Sequence, residues 1–169
     1  TIRTLDRLDA WVTEAMEGGL LAIDTRATSG DPMRADICGI SLATRPGRAA
    51  YIPLAHVEGG PADLLTDGVA SNQLRAAEVV KRLKPVLEDP SVLKVGHDLK
   101  PSWLLLARHG IRVAPYDDAA LIAYVLDGSR ASNRIDELSL AWLGHTRKSM
   151  DDLTGTGRNR VTFDRLPID

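Results

Sequence analysis

The run Leu20-Leu21-Ala22-Ile23-Asp24-Thr25 is the strand predicted at the centre of this 169-residue chain. Gly18-Gly19 precede it and the turn-rich residues 27–32 follow it, and an apolar run between such breakers is typical of a buried strand. The run ends in a carboxylate, whose burial in ionised form costs free energy unless a cation or hydrogen bonds compensate it. Asp24 is therefore interpreted as a metal ligand, an ion-pair partner or a strand-end cap. The cap is the default for an isolated Asp, because Asp is common in the turns that follow strands.

A helix is predicted before this strand and a β-hairpin after it. Apolar residues recur at helical spacing from Thr4 onwards, which indicates an amphipathic helix. Two apolar runs, 37–44 and 49–55, flank Arg45-Pro46-Gly47-Arg48, and this arrangement is typical of a hairpin. Pro53 has no N–H to donate to a ladder, so the second arm is expected at a sheet edge or at a bulge. The first three strands are thus predicted to be antiparallel.

The second half of the chain predicts helices that alternate with short strands. Ser71 is expected to cap a helix that ends near Glu88, a short strand follows at 92–97, and Asp98 is expected to cap the next helix. A helix, a strand and a helix in succession imply a parallel crossover. The remaining predictions are a surface loop over 56–68, a short strand at 111–113, a helix over 119–126 capped by Asp117 or Asp118, and a helix over 135–143. Together these elements predict the α/β class, with helices on the faces of a mixed sheet.

Composition sets limits on the function. With 169 residues and 44% hydrophobic content, the chain is expected to form one domain, residues 1–169. A formal charge of -2 gives no overall basic field, so nucleic-acid contacts would need local basic clusters or bound divalent metal. Cys38 is the only cysteine, which excludes an internal disulfide and fits a reduced, cytoplasmic protein with a buried thiol. No apolar stretch approaches membrane-spanning length. Because the chain begins at Thr1, it is interpreted as a segment of a longer polypeptide.

Several stretches, in this order and spacing, resemble the proofreading 3′-5′ exonuclease domain of family A DNA polymerases of the bacterial polymerase I type. Residues 21–26 are similar to the first acidic motif of that family, and residues 47–56 to its hairpin return. Residues 83–100 resemble the segment that leads into the second acidic motif, and residues 155–163 resemble a late loop. The resemblance implies an RNase H-like mixed α/β fold and a nuclease acting in DNA replication and repair. It also implies two divalent cations, Mg²⁺ or Mn²⁺, held by four acids, with a tyrosine that orients the attacking water.

The departures from this pattern bear directly on the chemistry. Asp24 holds the first acid position, but Arg26 stands at the second and Ser102 at the third. The tyrosine and aspartate of the third motif have no counterpart up to Asp169. Strand residues two apart share a face, so Arg26 is expected beside Asp24, where a cation would otherwise bind. Two like unit charges about 4 Å apart repel by roughly 4 kcal/mol at an effective dielectric of about 20. An Asp24–Arg26 ion pair is therefore predicted in place of bound metal.

Other candidate residues receive plainer interpretations. Lys100, Arg158 and Arg160 are possible DNA contacts, although a solvated loop explains the two arginines as well. Ser102 has no neighbouring base in sequence, which argues against a nucleophile. Asp98 could substitute for the missing acid, but a helix cap is the preferred interpretation because local N–H donors are available to its side chain. Asp117 and Asp118 are likewise interpreted as caps, the four histidines as surface or core residues, and Trp11, Trp103 and Trp142 as core residues.

Three functions follow from the sequence. The first is an exonuclease-type domain whose hydrolytic site is lost and which supports an adjoining polymerase domain and contacts DNA, without a bound cofactor. The second is an active exonuclease that depends on Mg²⁺ or Mn²⁺. The third is a stand-alone module that binds nucleic acid or protein. None of the three involves a membrane or a small-molecule cofactor.

Overall fold

The computed structural model describes residues 1–57, 70, 72–130 and 132–168. Its sheet has five strands in the order β3-β2-β1-β4-β5, so that β1 lies at the centre. The strands are β1 (Leu20–Ala27), β2 (Ile37–Arg45), β3 (Arg48–Pro53), β4 (Leu93–Gly96) and β5 (Tyr116–Asp118). The helices are α1 (Leu5–Gly18), α2 (Ala76–Glu88), α3 (Lys100–Arg108), α4 (Ala119–Leu126), α5 (Ile135–Leu143) and α6 (Met150–Thr154).

The central strand joins an antiparallel half of the sheet to a parallel half. β1 pairs antiparallel with β2, which pairs antiparallel with β3, and this confirms the predicted hairpin. On its other side β1 runs parallel to β4, and β4 runs parallel to β5. The mixed sheet with flanking helices confirms the predicted α/β class and is an RNase H-like fold.

Side chains of the sheet and of three helices form the core. On β1, Leu21 and Ile23 are buried, and strand geometry turns Asp24 and Arg26 to the other face. Leu8 of α1 and Leu83 of α2 are fully buried, and both belong to the same apolar cluster. Further members of the cluster are Ile40, Leu42, Ile52, Val79, Val86, Leu87, Leu105 and Leu106. Cys38 is buried as expected, and burial raises the pKa of its thiol to about 12.

Two features at the margins of the sheet were not expected from the sequence. Lys94 of β4 is fully buried, and its Nζ donates to the carbonyls of Asp89, Val92 and Ala114 at 2.8, 2.6 and 2.6 Å. At the other side, the N–H of Ile2 donates to the carbonyl of Tyr51 on the edge strand β3 at 2.8 Å.

Two predicted boundaries are wrong. The strand predicted at 111–113 is absent there, although Ile111 and Val113 are buried; β5 follows at Tyr116 instead. The helix expected from Ser71 begins at Ala76 with Arg75 before it, and Ser71 itself lies outside the described residues. Most of the loop predicted over 56–68 also lies outside them.

The core role predicted for the tryptophans holds for two of the three. Trp11 and Trp103 are partly buried against the core, whereas Trp142 of α5 is 60% exposed.

Trp142 belongs to an apolar surface that α4 and α5 present outwards. Its exposed members are Leu121, Ile122, Tyr124, Val125, Leu126, Ile135, Leu140, Trp142 and Leu143.

Candidate active site

Asp24 and Arg26 form an ion pair near the end of the central strand. The Arg26 guanidinium lies 2.6 Å from the Asp24 carboxylate, and the two side chains are 36% and 43% exposed, respectively. Across the β1–β2 ladder, Asp24 faces Ser41 and Arg26 faces Gly39, and the ladder becomes irregular directly after Arg26. The ion pair predicted from the two-residue spacing is thereby confirmed.

Opposing effects act on the charge of Asp24. Partial burial raises the pKa of the Asp24 carboxyl, while Arg26, the N–H of Thr25 and the more distant Arg147 all act to lower it. The effect of burial is the larger, so the pKa is raised overall. The guanidinium groups of Arg26 and Arg147 therefore both favour the charged form of the Asp24 carboxyl, which partial burial disfavours.

Ser102 occupies the third acid position as a hydrogen-bonded, buried hydroxyl. It lies in the first turns of α3, and its Oγ accepts from the Thr25 hydroxyl at 2.8 Å and from the Thr25 N–H at 3.3 Å. This hydroxyl is neutral and is already used in joining α3 to β1. It adds no negative charge beside Asp24.

The predicted cap at Asp98 is wrong. Asp98 has a φ of 53°, in the left-handed region, and α3 begins after Leu99 with no side-chain cap. The carboxylate of Asp118 instead accepts from the N–H groups of Asp98 and Leu99 at 3.0 and 2.8 Å. Asp118 also accepts from the N–H of Ala120 at 2.9 Å, which confirms it as the cap of α4. Burial works to raise the pKa of Asp118, but these backbone donors outweigh it and lower the pKa.

The segment near the end of the chain closes over Arg26, a contact that the sequence did not reveal. The Arg26 guanidinium carbon lies 5.7 Å from the ring centroid of Phe163, within cation–π range. The rings of Tyr51 and His56 pack against Phe163 at centroid distances of 6.3 and 5.8 Å. The only available signal was that Phe163 is the single phenylalanine of the chain and stands in a polar tail.

His56 links this closing segment to β3 through its two ring nitrogens. Its Nε2 lies 2.6 Å from the Tyr51 hydroxyl and its Nδ1 lies 3.1 Å from the carbonyl oxygen of Leu166. A neutral imidazole protonated at Nδ1 satisfies both contacts, because Nδ1 then donates to the carbonyl and Nε2 accepts from the hydroxyl. Burial lowers the pKa of His56, which is consistent with the neutral form. The ring of Tyr51 lies over Gly39, where any Cβ would overlap the Tyr51 hydroxyl.

Two clefts meet at Arg26. The strand cleft, of about 690 Å³, is lined by Asp24, Asp98 and Ser102 among others. The tail cleft, of about 750 Å³, is lined by Tyr51, Phe163 and Leu166 among others. Arg26, Ser41, His97, Ile135 and Arg147 line both clefts.

The basic residues singled out from the sequence lie elsewhere. Lys100 is exposed at the start of α3, Arg158 is exposed in a short 3-10 turn, and Arg160 lies 3.7 Å from Asp151 in an ion pair. None of these three lines the strand cleft or the tail cleft. Their contact with DNA stays a prediction.

The donor set around Asp24 does not fit a pair of divalent cations. Within the described ranges, no three or more His, Cys, Asp or Glu side chains are grouped so that they could hold a metal ion. Asp24 is engaged by Arg26, and the third acid position carries the hydroxyl of Ser102. The histidines agree with their predicted plain roles: His56 is buried, His97 is close to the carbonyl of Asn133, and His109 and His145 are exposed.

The chain belongs to the 3′-5′ exonuclease family, whose pattern matches residues 1–166. Within it, the chain is a domain of the DNA polymerase I type. It is 45% identical over 178 residues to DNA polymerase I of Rhizobium leguminosarum, a match that covers 100% of this chain. It is 37% identical to DNA polymerase I of Pseudomonas aeruginosa over 164 residues, or 95% of this chain. The chain spans 17% of the length of each of these two relatives.

Solved structures support the fold. Escherichia coli RNase D, an exoribonuclease involved in structured RNA processing, superposes with a TM-score of 0.66 at 18% identity. That alignment covers 92% of this chain and 35% of RNase D. Among the residues the structure describes, no helix is long and apolar enough to cross a membrane.

Proposed function

We propose that this chain is the exonuclease-type domain of a DNA polymerase I in which the two-metal hydrolytic site is lost. It would serve the polymerase as a structural and DNA-contacting domain. The observation that carries the proposal is the 2.6 Å ion pair between Arg26 and Asp24, which occupies the one acid position that is retained. Relatives of this family are expected to use that carboxylate as a metal ligand.

The energetics favour the arginine over a cation. A divalent ion at Asp24 would have to displace the Arg26 guanidinium or bind next to it, where two unit charges already repel by roughly 4 kcal/mol at 4 Å and an effective dielectric near 20. Displacement would also break the contact of Arg26 with the Phe163 ring. The neutral Ser102 hydroxyl offers no charge in compensation.

A structural role is supported by the apolar surface on α4 and α5. Val125 and Leu143 are 82% and 78% exposed there, the two highest exposures among the large hydrophobic residues that the structure describes. Contiguous apolar surface of this kind marks interaction sites. Since the chain corresponds to 17% of the length of its DNA polymerase I relatives, the partner proposed for this surface is the polymerase part of such a protein.

An active exonuclease is the second candidate, and one observation favours it. Asp24 and Asp98 line the same strand cleft, so a cation held between these two carboxylates would have oxygen ligands from both. Asp98 is exposed and makes no capping bond with its side chain to α3, which leaves its carboxylate available.

End-labelled single-stranded DNA incubated with Mg²⁺ or Mn²⁺ distinguishes the two functions. The lost-site proposal expects the DNA to stay at full length. Nucleotide release that a chelator abolishes, and that Asp24→Asn removes, would establish the active candidate instead. Asp117→Asn is the matched control, because Asp117 is exposed and lines neither the strand cleft nor the tail cleft.

A further inference from the structure

The tail cleft concentrates positive charge in a chain whose net charge is negative. Four basic side chains line it: Arg26, Arg134, Arg147 and Lys148. Among the residues that the structure describes, Asp136 is the only acidic one in its lining, and it is paired with Arg134 at 2.9 Å. Because the whole chain carries a formal charge of -2, this excess of basic groups is local to the cleft.

Arg147 and Lys148 are available to a ligand. Both are exposed in the segment between α5 and α6, and neither has a carboxylate within ion-pair distance in the part of the chain that the structure describes. Arg147 also borders the strand cleft and acts electrostatically on Asp24. At the junction of the two clefts, Arg26 and Arg147 thus place two guanidinium groups near Asp24. Asp98 also lines the strand cleft, but it does not line the tail cleft.

This junction has the charge of an anion site rather than a cation site. We propose that it binds a phosphodiester group of single-stranded DNA directly, through Arg26 and Arg147, with Lys148 alongside and without any metal ion. The inference rests on the proposed function and specifies how that domain would contact DNA. Guanidinium groups suit this task because their planar array of N–H donors matches two phosphate oxygens at once.

Asp24 has an unusual role in this arrangement. Its carboxylate is bound to the same guanidinium that a phosphate would use, so Asp24 competes with the DNA for Arg26. Removing the charge of Asp24 should therefore strengthen DNA binding. In a site where Asp24 held a metal that in turn held the DNA, the same substitution would weaken binding, so the sign of the effect separates the two arrangements.

The test measures fluorescence anisotropy of a labelled oligothymidylate of about ten nucleotides, within the site size of single-strand binding proteins. It is performed in EDTA over about 50 to 200 mM salt. Asp24→Asn is expected to raise the affinity about threefold or more. Arg147→Gln is expected to lower it about threefold to tenfold and to reduce the slope of log K against log salt by about 0.7, as expected for one lost phosphate contact on a single strand.

Arg7→Gln is the matched control, because Arg7 is exposed on α1 and lines neither cleft. Its affinity and salt slope should equal those of the unchanged chain. Circular dichroism and thermal unfolding verify that every variant is folded, and Arg147→Gln keeps the test open should Asp24→Asn fail to fold.

Two results would overturn the inference: weaker binding by Asp24→Asn, or an Arg147→Gln variant that behaves like Arg7→Gln. Either would leave the lost-site proposal intact, with DNA contact assigned to another surface. Metal-dependent release of nucleotides would overturn the proposed function instead.

Discussion

The Ser102 hydroxyl accepts a hydrogen bond from the Thr25 hydroxyl at 2.8 Å, and in doing so fixes α3 to β1 at the position where the family places an acid. The contact joins neutral groups, next to a strand on which Arg26 already neutralises Asp24. Arg26 on β1 and Ser102 on α3 therefore set the charge around Asp24. Changing both residues should change which ions the site attracts.

The double variant Arg26→Glu, Ser102→Asp is expected to bind Mn²⁺ at least about tenfold more tightly than the unchanged chain, which corresponds to about 1.4 kcal/mol. The substitutions remove one positive charge and add two carboxylates around Asp24, and hard divalent cations favour such oxygen ligands. Isothermal titration calorimetry measures the affinity. Arg45→Glu makes the same charge change as Arg26→Glu at the exposed end of β2 and should leave Mn²⁺ binding unaltered. Equal affinities for the double variant and the unchanged chain would contradict the prediction.

Acidification is expected to destabilise the fold through His56. Its pKa is lowered by burial, so the folded state favours the neutral ring while the unfolded chain takes up a proton near the ordinary value of 6.5. The contribution of the neutral ring to stability is present above pH 6.5 and declines as the pH falls below it towards the folded pKa. Urea unfolding at pH 7.5 and at successively lower pH measures this decline.

The matched variant for this pH dependence is His56→Gln, which has no titratable ring. Its free energy of unfolding should be lower at pH 7.5, because the contacts with Tyr51 and Leu166 are altered. Between pH 6.5 and 5 its stability should fall less steeply than that of the unchanged chain. If the free energy of unfolding fell equally steeply with pH in both proteins, His56 would not be the cause of the destabilisation by acid.

Lys94→Met is expected to lower the free energy of unfolding by about 3 kcal/mol. The buried ammonium donates to three backbone carbonyls, and the Met side chain would leave all three without that donor. Chemical denaturation measures the loss. Lys81→Met, on the exposed side of α2, should change stability by less than about 0.5 kcal/mol. If Lys94→Met also changed the free energy of unfolding by less than about 0.5 kcal/mol, water would have to satisfy the three carbonyls in place of the ammonium group.

The apolar surface of α4 and α5 should tolerate charge in the isolated domain. Val125→Glu with Leu143→Glu is expected to leave the free energy of unfolding within about 1 kcal/mol, since both side chains are mostly exposed. The same variant should lose affinity for a separately produced polymerase segment, the partner proposed for this surface, in a pull-down or by calorimetry. Thr13→Glu on α1 and Glu78→Lys on α2, both at exposed positions, serve as controls and should retain that binding. Undiminished binding by the α4–α5 variant would place the polymerase contact elsewhere.

The features that follow from local patterns could be predicted from the sequence. The hairpin was evident from two apolar runs around Arg45-Pro46-Gly47-Arg48, and the Asp24–Arg26 pair follows from the two-residue repeat of a strand. At residues 111–113 the apolar pattern led to a strand prediction that is wrong. Ile111 and Val113 are buried as a strand would be, but their backbone joins no ladder, and an apolar pattern reports burial rather than pairing.

The remaining features depend on contacts between distant parts of the chain. Asp98 has the residue type of a cap, yet Asp118 from the neighbouring strand takes the N–H groups at that helix start. Phe163 covers Arg26 only because the tail returns to the sheet. Trp142 has the apolar character of a core residue, and the sequence gives no sign that its face of α5 is left exposed.

The hydrogen bond from Ile2 to Tyr51 has a consequence for solubility. β3 is an edge strand, and unpaired backbone groups on such an edge are templates for the growth of intermolecular sheets. The first residues of the chain occupy part of that edge, and Pro53 at its end offers no donor to an incoming strand. The residues around Ile2 thus leave fewer backbone groups on this edge open to pairing with a second chain, which disfavours self-association.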